Sequence, residues 1–202
     1  RRCQDIFAEI LSKVASKDPR KGPVYVQAVI MEVHTPWIIR PEYKSAYPDY
    51  PVAHNIYHRD TKNEENFVRQ TLGAVRQVSH DISEFIRRFR EIPGRESTLF
   101  VITSDHGQGL DDHPNVFKSM THGNLLYQSH LKVPLIFYQP EATDRAFRRR
   151  YRPHRVVERV TLLDFMPTIL DYVGLSLPRR PKGTPVLEGR SLIQLIDGEK
   201  GA

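Results

Sequence analysis

Residues Val101–Asn124 read VITSDHGQGLDDHPNVFKSMTHGN. A short apolar run stops at Asp105-His106-Gly107, passes through an acidic loop, and reaches His122-Gly123-Asn124. The β-branched residues before Asp105 predict a core strand over Thr98–Ser104. A carboxylate and an imidazole side by side at a strand end can both reach one divalent cation. Asp offers a hard anionic oxygen, and neutral His offers a nitrogen that suits zinc or manganese and is tolerated by other cations. Gly107 lets the backbone turn sharply after them. The plainer reading of the triplet alone is a turn-capping Asp beside a solvated His.

Upstream, VYVQAVIMEV over 24–33 is rich in β-branched residues and predicts a buried strand running into His34-Thr35-Pro36-Trp37. Residues 38–61 hold prolines, tyrosines and the histidines His54 and His58, and read as a long irregular excursion of the kind that often carries function. From Glu64 to Phe89 a stripe of Val68, Leu72, Val75, Ile82, Ile86 and Phe89 predicts a long helix ended by Pro93-Gly94. Strand, helix, strand is a βαβ unit with a parallel, right-handed crossover. KVPLIFY, Lys132–Tyr138, is a third strand, and Val156–Thr161 a short further one. Ile6, Phe7, Ile10, Leu11 and Val14 place a helix over 4–16. LLDFMPTILDYVGL reads as a helix with Pro167 in an early turn and an end near Gly174, and GRSLIQLIDG as one last short helix. The expected fold is α/β, a partly parallel sheet flanked by helices. It forms a single domain over 1–202, with a leading helix in 1–20 and a C-terminal loop and short helix in 178–202.

The chain of 202 residues is 39% apolar and 27% charged, which fits one sizeable core. No apolar run approaches the roughly 20 residues of a bilayer span. Cys3 is the single cysteine, which excludes an intrachain disulfide and a cysteine-based zinc site. The +6 net charge gathers at Arg148, Arg149, Arg150, Arg152 and Arg155, and at Arg179, Arg180 and Lys182. These are solvated loops or a rim that attracts an anionic substrate. No aromatic-interleaved basic motif points to nucleic acid.

Five stretches in order resemble the sulfatase family of the alkaline phosphatase-like superfamily. They are HTPW, STLFVITSDHG, THGNLLYQSHLKVPLIFYQP, VERVTLLDFMPTILDYVGL and LEGRSLIQLIDG, and the resemblance covers roughly residues 24–198. The resemblance implies a fragment of the alkaline phosphatase/sulfatase-like fold. It implies Asp105 and His106 as metal ligands, and His34 and His122 as groups that contact the anionic ester and handle protons at its leaving oxygen. A near-neutral pKa suits histidine to that work. Lys132 matches a basic substrate-binding position before the Val-Pro strand; a surface lysine is the alternative. His113 with Asp111 and Asp112 offers a possible further ligand, or a solvated acidic loop. His80, His130 and His154 carry no implied role.

The implied cofactor is one divalent metal ion: calcium for a sulfatase, manganese or zinc for a transferase. No Asp has a His four residues later, which sets the two-metal branch aside. The family's Cys/Ser-x-Pro-x-Arg nucleophile motif has no counterpart, since Cys3 is followed by Gln-Asp-Ile. The chain therefore reads as the C-terminal portion of a longer enzyme, with nucleophile and remaining ligands upstream. The expected activity of that enzyme is sulfate ester hydrolysis on a small-molecule, glycan or lipid ester, outside the cytoplasm. A membrane-anchored phosphoethanolamine or phosphoglycerol transferase and a catalytically inactive sulfatase-like domain are the alternatives. Membrane contact would come through upstream segments, and the 202 residues alone are expected to bind metal weakly and to turn over little ester.

Overall fold

A computed structural model describes residues 2–34, 37–44, 61–95, 97–110, 122, 126–139, 155–175 and 188–197; at residues 44 and 61–67 it describes the backbone. His54, His58, Asp111, Asp112, His113, His154 and the basic clusters, apart from Arg155, lie outside the described residues. The chain falls into two compact units, Arg1–Glu141 and Ala142–Ala202.

In the first unit, α1 (Cys3–Ala15) forms where the periodicity predicts, and it buries Cys3, Phe7, Leu11 and Val14. Asp5 accepts the Arg2 amide at 3.2 Å, satisfying one of the donors a helix start leaves open. Helix α2 (Pro41–Lys44) is a single turn, and α3 (Thr61–Phe89) is the long helix. Leu11, Val14 and Phe89 make the core, with Ile10, Phe85, Ile92 and Phe100 packed against it. Aromatic contacts dominate there. Phe7 stacks on Phe85 at 4.4 Å, and Phe89 meets Phe100 edge-on at 5.1 Å. Each such pair adds about 0.5–1.5 kcal/mol beyond area burial.

The buried face of α3 differs from the predicted stripe. Leu72 and Val75 are 43% and 45% exposed, while Thr71, Ala74, Gln77, Val78 and Asp81 are buried. Partnering explains the polar ones. Asp81 takes the Arg40 guanidinium at 2.8 and 3.2 Å, and Gln77 accepts the Arg40 amide at 2.7 Å while donating to the Ile38 carbonyl at 3.1 Å. A hydrophobic stripe cannot reveal polar side chains that are buried because they are paired.

The sheet also differs. Strand β1 (Phe100–Thr103) pairs antiparallel with β2 (Leu135–Tyr138), Phe100 opposite Tyr138 and Thr103 opposite Leu135. Residues 24–33 form no strand. Tyr25 is 70% exposed, Val29 63% and Met31 57%. The expected βαβ unit with its parallel pair is therefore absent from the described residues. A β-type sequence becomes a strand only where another strand takes its amides and carbonyls, and no described segment does so for 24–33. Val156–Thr161 likewise forms no strand. Helix α4 (Gln128–Leu131), a turn the sequence reading did not foresee, precedes β2.

In the second unit a 3-10 turn, Leu162–Asp164, leads into α5 (Phe165–Tyr172), and α6 (Ile193–Ile196) closes the chain's described part. Both helices fall where predicted, Pro167 lies in the first turn of α5, and Gly174 takes the left-handed φ of 71° just past its end. Buried Asp164 accepts the amides of Thr161 at 2.9 Å and Arg190 at 2.8 Å. Thr168 donates to the Asp164 carbonyl at 2.6 Å and accepts from the Leu192 amide at 2.9 Å, which fastens α5 to the start of α6.

Candidate active site

The loop leaving β1 is shaped by its own short side chains. Ser104 Oγ donates to the His106 carbonyl at 2.7 Å, and Asp105 Oδ1 accepts the His106 amide at 3.0 Å. Gly107 then donates its amide to the His130 carbonyl at 2.7 Å. A Cβ at Gly107 would overlap the Ser129 carbonyl oxygen, so this close approach of loop to α4 admits only glycine.

The turn leaves the Asp105 side chain 87% exposed and that of His106 40% exposed. His106 Nδ1 lies 2.7 Å from the Gly107 carbonyl oxygen. A carbonyl only accepts, so Nδ1 carries the hydrogen, and in the neutral ring the lone pair is on Nε2. Nε2 stands 3.8 Å from Asp105 Oδ1. Two donors so spaced can share one cation at ordinary metal–ligand distances of about 2.0–2.5 Å. Carboxylate and neutral imidazole fit a divalent ion by chemistry but fall short by number. Among the described residues no group of three or more His, Cys, Asp or Glu is arranged to hold a metal.

His122 stacks on His106, ring centroids 3.9 Å apart and planes 25° apart. His34 meets the His122 ring edge at 6.2 Å. His34 was expected at a strand end; it lies instead in an exposed bend, its amide donating to the Met31 carbonyl at 2.9 Å, yet it still reaches the cluster. His122 Nδ1 is 2.9 Å from Gln108 Oε1. Burial, and then the neighbouring His106 and His34, hold the His122 pKa below its ordinary 6.5. Neutral imidazole is thereby favoured. Lys132 caps α4 with an exposed side chain, and among the described residues no hydrogen bond or ion pair takes that side chain to the histidines.

Two features escaped sequence reasoning. Gln108 carries no motif signal. His130, given no role, is 5% exposed and supplies the carbonyl that anchors Gly107. The unbroken YQSH turn before KVP was the available hint of a helix there.

The architecture that presents this cluster matches solved sulfatase-like folds. A proposed sulfatase from Bacteroides fragilis superposes with a TM-score of 0.67 at 17% identity, covering 99% of this chain and 41% of that one. A second, from Bacteroides thetaiotaomicron, gives 0.56 at 20% identity over 96% and 39%. These show the fold: part of an alkaline phosphatase/sulfatase-like α/β domain. The sulfatase family model matches residues 3–175, and the chain belongs to the sulfatase family. Curated relatives include an arylsulfatase of Clostridium perfringens, 29% identical over 62% of this chain and 23% of its own length. A Bacteroides thetaiotaomicron Δ4,5-hexuronate-2-O-sulfatase is 28% identical over 68% and 26%. Mouse arylsulfatase K is 27% identical over 67% and 21%. The chain thus spans about a quarter of the length of these relatives.

Proposed function

We propose that this chain forms one side of the active site of a metal-dependent sulfuric ester hydrolase, converting a sulfate ester and water to an alcohol and sulfate. The observation that carries the reading is the stack of His122 on His106 beside Asp105. Asp105 Oδ1 and His106 Nε2 are the two ligands this chain offers to a divalent cation, calcium in the sulfatase reading. When bound, that ion polarises the ester oxygens. His34 and His122 contact the sulfate group, and His122 handles the proton at the leaving oxygen. General acid–base help of this kind contributes about 10²–10⁴-fold. Lys132 adds positive charge at the substrate approach.

The nucleophile and remaining ligands belong, in this reading, to parts of the sulfatase fold outside residues 1–202. The uncovered apolar segment 24–33 supports that, because its sequence suits an inner strand with neighbours on both sides. Relatives named for aryl, hexuronate 2-O- and N-acetylglucosamine 6-O-sulfate support an aryl or glycan sulfate as substrate. Work outside the cytoplasm is part of the same reading; one relative is named as extracellular, and no described helix is long and apolar enough to cross a membrane.

The test is hydrolysis of 4-methylumbelliferyl sulfate by the full-length gene product, with and without EDTA. Metal-dependent sulfate release is expected. Transfer of phosphoethanolamine or phosphoglycerol without sulfate release, or no turnover with any metal, overturns it.

A further inference from the structure

We infer that Gln108 is a positioning residue that fixes the tautomer of His122, placing the proton on Nδ1 and the lone pair on Nε2. The inference rests on the proposed role of His122 at the leaving oxygen and adds which of its ring atoms does the work. Gln108 Oε1 lies 2.9 Å from His122 Nδ1, and an amide oxygen only accepts, so the hydrogen between them is the imidazole's. The ring is also confined. It stacks on His106 at 3.9 Å and meets the His34 edge at 6.2 Å, contacts that favour this ring plane. His106 next door is in the same state, its Nδ1 proton given to the Gly107 carbonyl. Both rings therefore carry the lone pair on Nε2, that of His106 facing Asp105 as a metal ligand and that of His122 left for the proton.

The consequence is chemical. A histidine whose Nδ1–H is taken by a neutral acceptor can receive a proton at Nε2 and return it from the same atom. With Gln108 turned to donate instead, neutral His122 would carry its proton on Nε2 and could not act as a base there. Gln108 lies on the same turn as the metal-facing pair, so one loop sets both the ligands and the orientation of the acid–base group.

The experiment is long-range ¹H–¹⁵N correlation of ¹⁵N-histidine-labelled 202-residue chain at about pH 8, above the ordinary histidine range. His122 signals are assigned by loss in His122→Asn. In the wild type His122 Nδ1 is expected to be protonated and Nε2 bare. Gln108→Leu removes the acceptor, and the Nε2–H form is expected to become a major species. Gln108→Glu keeps an acceptor and retains Nδ1–H. The His106 tautomer, held by a backbone carbonyl, stays Nδ1–H in all three and reports that the loop is folded. A wild-type His122 with Nε2 protonated overturns the inference, as does a tautomer unchanged in Gln108→Leu with His106 intact. If Gln108→Leu fails to fold, loss of Nδ1–H in the folded Gln108→Glu overturns it equally. None of these signals needs turnover, so failure of the sulfatase reading shows separately, as absent ester hydrolysis.

Discussion

The Gly107 amide donates to the His130 carbonyl at 2.7 Å, and that one bond ties the metal-facing loop to the turn before β2. Space for a side chain is lacking there, since a Cβ would strike the Ser129 carbonyl. Gly107→Ala is expected to destabilise the first unit by about 1–3 kcal/mol, the usual cost of forcing atoms into a packed contact. It should also separate His106 from His122. Urea denaturation measures the first effect and histidine ring shifts the second. A wild-type midpoint with unchanged ring shifts would show that the contact does not shape the site.

The Arg40–Asp81 pair holds the segment before α2 on α3, and the Asp81 side chain is 3% exposed. Asp81→Ala removes the buried partner of a guanidinium that is 18% exposed and keeps Glu42 at 3.1 Å, and is expected to cost about 1–3 kcal/mol. Replacing both partners with apolar residues of similar volume, Arg40→Met with Asp81→Leu, should recover most of that loss. Chemical denaturation of the three variants decides; equal losses in the single and double variants would contradict a penalty from the unpaired charge.

Cys3 is buried, beside Glu32 and Asp81, and burial first and those charges second push its thiol pKa from 9.0 up to about 12. Native chain should resist iodoacetamide at pH 8, while urea-unfolded chain reacts at the ordinary rate. The pH effect has a definite sign. Between 9.0 and about 12 the unfolded thiol loses its proton first, so the unfolded state binds fewer protons and stability falls as pH rises. Below 9.0 this contribution is fully present. Cys3→Ala should lack the alkaline loss, which pH-dependent denaturation reads directly.

Much of this was legible in the sequence where local periodicity and burial coincide. Helix α1 is of that kind, and so is the end of α3 at Phe89; α5 falls where Pro167 and Gly174 bound it. The buried face of α3 was not legible, because Gln77 and Asp81 are inside only through their links to residues 38–40. Residues 24–33 carry strand chemistry without a partner in reach, and pairing is a non-local property that composition cannot supply. In the site, Asp105-His106 stood out by residue type and spacing, and the cluster does gather His34 and His122 beside His106. Gln108 and the carbonyl of His130 did not stand out, since their parts depend on contacts with residues distant in the chain, His122 for the one and Gly107 for the other.

The exposed segment gives its own prediction. In the 202-residue chain the amides of 24–33 should exchange within seconds to minutes, whereas those of 74–86 in α3 are protected. In the full-length gene product the same amides should be protected at least about 100-fold, as expected of a strand inside a sheet. Hydrogen exchange with mass spectrometry compares the two. Fast exchange in both would refute the inner-strand reading.

Joint action of Asp105, His106 and His122 on a sulfate ester is the core of the proposed mechanism. Its most direct test is steady-state hydrolysis of 4-methylumbelliferyl sulfate by the full-length gene product carrying Asp105→Ala or His122→Asn. Circular dichroism confirms that each variant is folded. Both are expected to lose about 100-fold or more in kcat/KM, with the Asp105→Ala loss partly restored by raised metal concentration. Folded variants that hydrolyse the ester at the wild-type rate would contradict that joint action.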